Sequence, residues 1–375
     1  MFPDMTVKKK IVFFVINYNG RKLLGEIFER SLNSVIESVE LLRKKCFDVE
    51  LFFVDNNSSD ESVSVARQKG VAVINLNTNL GYAGACYVAF NHVRVRGINP
   101  DLFVFLNNDI IMDRENFYKF IRFVLLLKKQ FQGIIVTPLL LNGYTGELDH
   151  GGQFIDSTGA TWSISLVMNR RMATMLKPIP VSYCDGAVLV ADDAALERVG
   201  LFDPRFFMYY EDVELSLRAW SRGVPSILLP IIVGVHYRGA TAKVRPEMLY
   251  FNVRNRVYTM RKFFGWRGVL KVTLYYLFYV FRFLDLDSIV NTRFYLKNNH
   301  SIDIRRSLKY ITRAIIDGAR MKQYKDGKAS RFLCPILTLS ISHLFSMKKF
   351  YIKLVESISY SCFKIKLKKE VYSNV

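Results

Sequence analysis

The sequence predicts an α/β fold: a mostly parallel sheet with helices on both faces, followed by a basic helical region. Three observations carry this. Short β-branched and aromatic runs alternate with helix-like stretches over the first third of the chain. These runs are continuously apolar, as strands buried on both faces are. The charge is also split: residues 246–375 hold 25 Lys and Arg against 8 Asp and Glu, whereas residues 1–245 hold 28 against 25. The expected division is therefore a near-neutral unit, 1–245, and a basic helical unit, 246–375.

The elements follow in order. Ile11–Ile16 reads as a buried first strand; it is too short for a signal-peptide core and runs into polar Asn17-Tyr18-Asn19. Residues 22–45 place Leu24, Ile27, Phe28, Val35, Val39 and Leu42 at helical spacing. Val49–Val54 is a second strand, Ser62–Lys69 a short helix, Val71–Leu76 a third strand, Gly84–Val95 a helix and Leu102–Leu106 a fourth strand. From about Ile134 the pattern changes to Gly-rich and polar segments. Val181–Val190 is strand-like there, and Ala194–Val199 and Val213–Arg222 are helical. The tail is helical from about Glu247, with two apolar stretches, Val272–Phe281 and Phe332–Phe345, both edged by Lys and Arg. Each is shorter than the roughly 20 residues that cross a bilayer, so they fit helices lying in the membrane interface.

Ligands of open α/β sheets bind beyond the carboxyl ends of the strands. All four strands here end in polar clusters: Asn17-Tyr18-Asn19-Gly20, Asp55-Asn56-Asn57-Ser58-Ser59-Asp60, Asn77 to Gly84, and Asn107-Asn108-Asp109. Turn and cap chemistry explains any one of them. Four in succession on one edge point to a ligand. Further on, Glu211 and Asp212 open a helix behind the aromatic run Phe206-Phe207-Met208-Tyr209-Tyr210. The helix dipole favours acidic residues there. An apolar wall also raises a carboxylate's pKa, as a general base requires. The five cysteines are scattered, without a C-x-x-C pair, which argues against a disulfide framework or a cysteine zinc site.

In ordered motifs across about residues 10–256, the chain resembles the inverting glycosyltransferases of family 2 with the GT-A fold, most of all the rhamnosyltransferase-like members that build surface polysaccharides such as O-antigens. The resemblance rests on Val15 to Asn19, Val54 to Asp60, Asn79 to Gly84, Leu106 to Asp109, Asp185-Gly186-Ala187, Gly200 to Asp203, Tyr210 to Leu215 with Arg218, and His236 with Gly239 and Thr241. It implies nucleotide-sugar binding in 1–110 and an acceptor side in 134–245. Tyr18 would stack on the base and Asp55 accept its N3–H, with Asn57 and Asp60 supporting the loop. Asn79 and Gly81 would lie by the nucleotide. Asn107-Asn108-Asp109 stands at the family's D-x-D position, with Asn107 in place of the first Asp. Asp109 would hold a divalent metal (Mg²⁺ or Mn²⁺) on the diphosphate, and His236 would close its shell. Asp212 would be the general base and Glu211 its partner. Asp185, Gly186 and Asp203 would lie near the sugar or acceptor, and Arg254 near the diphosphate.

The implied activity is transfer of a deoxyhexose or hexose, rhamnose favoured, from a dTDP- or UDP-sugar to a polyprenyl-diphosphate-linked or other surface glycan. The enzyme would sit peripherally on the cytoplasmic face of a bacterial inner membrane, with anionic lipid as a partner of the tail and a homodimer as an admissible assembly. Net charge alone, +20, would suggest a nucleic-acid-binding protein; no RNP, KH or zinc-finger pattern accompanies it, and nucleic acid is not expected. A nucleotidyltransferase on a similar sheet is the third reading. No G-x-x-x-x-G-K-[ST] loop is present.

Overall fold

The computed structural model describes residues 8–150, 153–166, 168–239, 246–283, 304–321 and 336–337. Strands β1 (Lys10–Asn17), β2 (Asp48–Asp55), β3 (Ala72–Asn75) and β4 (Leu102–Asn107) lie parallel in the order β4-β1-β2-β3. Helices α1 (Gly20–Leu24), α2 (Glu26–Lys44), α3 (Ser62–Gln68) and α4 (Gly81–Val95) connect them. In β1, Val12, Phe14 and Ile16 enter one apolar core, and Ile11, Phe13 and Val15 the other. Both faces of the strand are thus buried, so its sequence has no polar alternation.

The remainder completes the sheet. β5 (Ile110–Met112), α5 (Arg114–Lys128), β6 (Ile135–Asn142), β7 (Leu148–His150), β8 (Gln153–Asp156) and β9 (Thr161–Ser163) come next, followed by α6 (Arg170–Thr174), β10 (Ile179–Pro180), β11 (Val188–Asp192), α7 (Asp193–Val199), α8 (Glu211–Ser221) and β12 (Ser226–His236). The path continues from β4 through β11, β6 and β12 to β10, with β11 antiparallel to both neighbours and β6 parallel to β12. β5 pairs with β12, and β7 with β6. β8 and β9 form a small sheet with β13 (Ile336–Leu337).

Most expected elements lie where the pattern puts them. Val181–Val190 is shorter as a strand: β11 starts only at Val188, because Asp185 and Gly186 belong to a loop at the sheet edge. β12 is an element that the sequence reading passed over; Pro230 interrupts its run. The register against β6 shifts between Leu228 and Ile232, which accommodates a proline that cannot donate to the ladder.

In the tail, α9 (Pro246–Phe283) is bent at Gly265 (φ 62°, ψ −152°), and α10 (Ile304–Arg320) packs on it. The first apolar stretch, Val272–Phe281, lies in α9. The second, Phe332–Phe345, falls outside the described residues except for β13.

A buried ion cluster joins tail and core. Glu214 of α8 is fully buried; it accepts from Arg218 Nε (2.9 Å) and Nη2 (2.8 Å) and from Lys262 Nζ of α9 (2.7 Å). Arg218 also donates to the carbonyls of Val199 and Leu201.

Candidate active site

Parallel register lines up the strand ends: Asn17 faces Asp55, Ile16 faces Asn107, and Asp55 faces Asn75. The polar residues behind them interlock. Asn17 Nδ2 donates to Asp55 Oδ1 (3.1 Å) and Ser58 Oγ (3.1 Å), and Asn17 Oδ1 accepts from Asn108 Nδ2 (2.7 Å). Ser58 N–H holds Asp55 Oδ2 (2.9 Å). Each oxygen of Asp55 keeps a second lone pair for a ligand. Asp60 accepts from the amides of Lys22 and Ser62 and supports the loop as expected. Asn57 is exposed, with φ 65°. Tyr18 is 43% exposed at the same edge, its ring available for stacking.

Asn56, which the sequence reading left without a role, ties this edge to the next loop. It donates to Asn79 Oδ1 (2.9 Å) and the Gly81 carbonyl (3.1 Å) and accepts from Leu80 N–H (2.8 Å). Gly81 has φ 71°, and a Cβ there would stand 2.2 Å from the Phe207 carbonyl oxygen. Glycine is required at this position on both counts.

A second cluster lies past β4. The turn into β5, whose Ile110 pairs with His236 of β12, brings Asp109 Oδ1 to 3.2 Å from His236 Nε2. His236 Nδ1 meets Asp149 Oδ2 at 2.9 Å; Arg238 Nε reaches the same oxygen (3.2 Å) and Nη2 reaches Asp185 Oδ2 (3.5 Å). Asp149 and Arg238 are site residues that sequence reasoning missed. Burial lowers the His236 pKa, but Asp109 and then Asp149 outweigh it and push it up to about 9.

Asp109 Oδ1 is buried, with His236 Nε2 at 3.2 Å. Two ligand atoms at right angles on a cation with bonds of about 2.1 Å stand about 3 Å apart. The Asp109–His236 pair is spaced as two ligands of a divalent metal would be. Among the described residues, no group of three His, Cys, Asp or Glu side chains suits a metal by itself.

The Glu-Asp pair opens α8. Asp212 Oδ2 accepts from Gly186 N–H (3.0 Å) and Oδ1 from its neighbour Val213 N–H (2.8 Å). Burial, then the charge of Asp185, raises the Asp212 pKa to about 7, against the pull of those two amides. Glu211 is also raised, by burial and then by Asp212, and its Oε2 is buried without a hydrogen-bond partner. With two amides on Asp212 and none on Glu211 Oε2, the proton of the pair stays on Glu211 and Asp212 ionises first. Tyr82 OH donates to the Gly186 carbonyl (2.6 Å) and closes one wall.

The structure thus joins Asp109, His236, Asp185, Gly186 and Asp212 in one chain of contacts. Two other expected residues lie elsewhere. Asp203 caps the turn Pro204–Phe206 and pairs with Arg205. Arg254 donates to the carbonyls of Arg205 (2.8 Å) and Phe206 (2.9 Å), over the Phe251 ring.

Comparison with known proteins agrees with this architecture. The sequence profile described as glycosyl transferase family 2 matches residues 13–186. The low-salt glycan biosynthesis hexosyltransferase Agl10 of Haloferax volcanii is 21% identical over 70% of this chain and 79% of its own length. The rhamnosyltransferase WbbL of Escherichia coli K12 is 25% identical over 42% of this chain and 60% of its own. Among solved structures, GalNAc-T7 with UDP, GalNAc and Mn²⁺ superposes with a TM-score of 0.52 at 14% identity, over 77% of this chain and 54% of that one. Residues 13–186 therefore match the glycosyl transferase family 2 domain, and the chain has the GT-A fold.

Proposed function

We propose that the chain is a metal-dependent inverting glycosyltransferase that moves a hexose or deoxyhexose, rhamnose favoured, from a dTDP- or UDP-sugar to a polyprenyl-diphosphate-linked or other surface glycan. One observation carries the reading: a half-buried carboxylate, Asp212, with its pKa raised to about 7, joined through Asp185, Arg238 and Asp149 to the Asp109–His236 pair. The hexosyl- and rhamnosyltransferase relatives support the sugar class.

In this mechanism Tyr18 stacks on the base and Asp55 accepts its N3–H, with Asn57 at the loop tip and Asn79 and Gly81 shaping the nucleotide edge. Asp109 and His236 would hold a divalent metal, which when bound would supply charge neutralisation for the leaving diphosphate. Asp212 takes the acceptor hydroxyl proton as that oxygen bonds to the anomeric carbon. The carbon–phosphate-oxygen bond breaks on the opposite face, its electron pair leaves with the diphosphate, and the anomeric configuration inverts. Arg238, drawn to Asp185 and Asp149, keeps these carboxylates from repelling one another. A screen of nucleotide-sugars with Mg²⁺ or Mn²⁺ and a lipid-linked acceptor tests the reading. Nucleoside diphosphate is the expected product, lost with EDTA. Pyrophosphate release instead would establish a nucleotidyltransferase.

A membrane surface is the proposed platform. Trp266, Leu270, Leu274 and Leu277 are 64, 58, 54 and 45% exposed, spaced so that they share one helix face. Arg267 and Lys271 are exposed beside them, and Arg261 lies over the Trp266 ring (4.6 Å). Among the described residues no helix is long and apolar enough to cross a membrane. Apolar residues edged by cations suit the surface of an anionic leaflet, on the cytoplasmic side in this reading. Arg267→Ala/Lys271→Ala should weaken sedimentation with phosphatidylglycerol vesicles by about 2 kcal/mol, roughly 30-fold. Unchanged binding, or a dimer that buries this face, refutes the platform.

A further inference from the structure

The segment ahead of the Glu-Asp pair is backbone-strained. Phe207, Tyr209 and Tyr210 have φ of 63°, 69° and 66°, and none is glycine. Such residues persist only where their surroundings over-determine them. The tail helix α9 supplies that constraint. Asn255 is fully buried, and its Nδ2 lies 2.9 Å from the Phe206 carbonyl oxygen, 2.8 Å from that of Met208 and 2.7 Å from that of Tyr209. Its Oδ1 accepts from Arg254 Nε (2.8 Å), which aims the amide, while Arg254 Nη2 holds the carbonyls of Arg205 and Phe206. The Phe207 ring stacks on Phe251 of the same helix, with centroids 4.9 Å apart.

The other side of the loop rests on the nucleotide edge. The Phe207 carbonyl accepts from Ala83 N–H (3.2 Å) and fills the space left by the missing Cβ of Gly81. Tyr210 OH donates to the Gly159 carbonyl (2.7 Å). Asp212 begins two residues after this clamped turn.

We propose that Asn255 is a positioning residue: by holding the left-handed loop 207–210 between α9 and the start of α4, it sets where the Asp212 carboxylate stands. It touches neither donor nor acceptor. Arg254 and Phe251 assist, so this stretch of the tail serves the chemistry of the core independently of membrane attachment. The donor edge and the base are also joined, through Asn56, Gly81 and Phe207. The proposal rests on Asp212 being the base.

A double-mutant cycle tests it, with kcat read from nucleoside diphosphate release and UDP or dTDP binding measured by calorimetry. Asn255→Ala should lower kcat by about 10²-fold, the cost of displacing a catalytic group by about 1 Å. UDP or dTDP affinity should change less than about 3-fold. In the Asp212→Asn background the same substitution should cost less than about 3-fold, because groups acting as a unit are not additive. An equal loss in both backgrounds overturns the proposal, as does an unchanged kcat in Asn255→Ala. Should Asn255→Ala not fold, Asn255→Ser, which keeps one donor, takes its place in the cycle. Full activity of Asp212→Asn alone would instead overturn the assignment of the base, so the two failures are distinguishable.

Discussion

Asp212→Asn should lower kcat by about 10²–10⁴-fold, the usual contribution of a positioned general base, while UDP or dTDP still binds. The near-isosteric amide keeps its one oxygen on either the Gly186 or the Val213 amide and sets its NH2 at the other, so one of these two bonds is lost together with proton acceptance. The pH profile gives a second check. The base works ionised, so kcat should rise with pH and level off above about 7, the value to which burial and then Asp185 lift Asp212. Asp185→Asn removes the second cause and should move that limb to lower pH. A profile flat from pH 5 to 9, or a fully active Asp212→Asn, would sink the assignment. Glu211→Gln should leave the limb in place, because burial and then Asp185 are what lift Asp212.

Legibility in the sequence followed how local each feature is. Strands β1 to β4 were readable because double burial leaves continuous runs such as Val12-Phe13-Phe14-Val15, and the polar ends behind them fall on one edge through parallel register. The interlocking of Asn17, Asp55, Ser58 and Asn108 then follows from that edge. Asp149 and Arg238 gave no such signal. They reach the site by pairing of β7 with β6 and of β6 with β12, across 89 residues for the Arg238–Asp149 contact. Nothing in the spacing of an isolated Asp and an isolated Arg announces that. His236 was found through resemblance alone, since a histidine at the end of a strand has no pattern of its own. β12 was hidden by Pro230, whose register shift only its pairing with β6 makes visible.

The tail shows the same limit. Its charge excess was plain, and the exposed apolar stripe follows from helical spacing once the helix is known. Asn255 was not legible as a clamp. Its role depends on three carbonyls some 46 to 49 residues earlier, turned toward it by positive φ angles. Arg254, expected near the diphosphate, has its guanidinium on the carbonyls of Arg205 and Phe206, which flank the same loop.

Glu214→Ala should be the most destabilising single change in the core, by about 3–5 kcal/mol. It removes the carboxylate that Arg218 and Lys262 share, and breaking a buried pair costs more than the pair contributes. The melting temperature should fall by roughly 10 °C for a domain of this size. Acid has the same effect on the native chain. Burial alone would raise the Glu214 pKa, but Arg218 and then Lys262 outweigh it and hold it at about 2, below its ordinary 4.5. A carboxylate depressed in the folded state stabilises fully above its unfolded pKa. That contribution, about 3 kcal/mol for a shift of this size, should therefore be present above pH 4.5 and drain away as pH falls toward 2. Lys262→Met separates the two halves of the cluster, because Glu214 keeps both bonds from Arg218. It should cost about 2 kcal/mol or less and release α9 first, seen as proteolysis in the tail before the core melts. Since α8 carries Asp212 and α9 carries Asn255, this variant should also lower kcat below its global melting temperature. A Glu214→Ala chain that melts within about 1 °C of the parent would show that the cluster is solvated and does not tie the helices together.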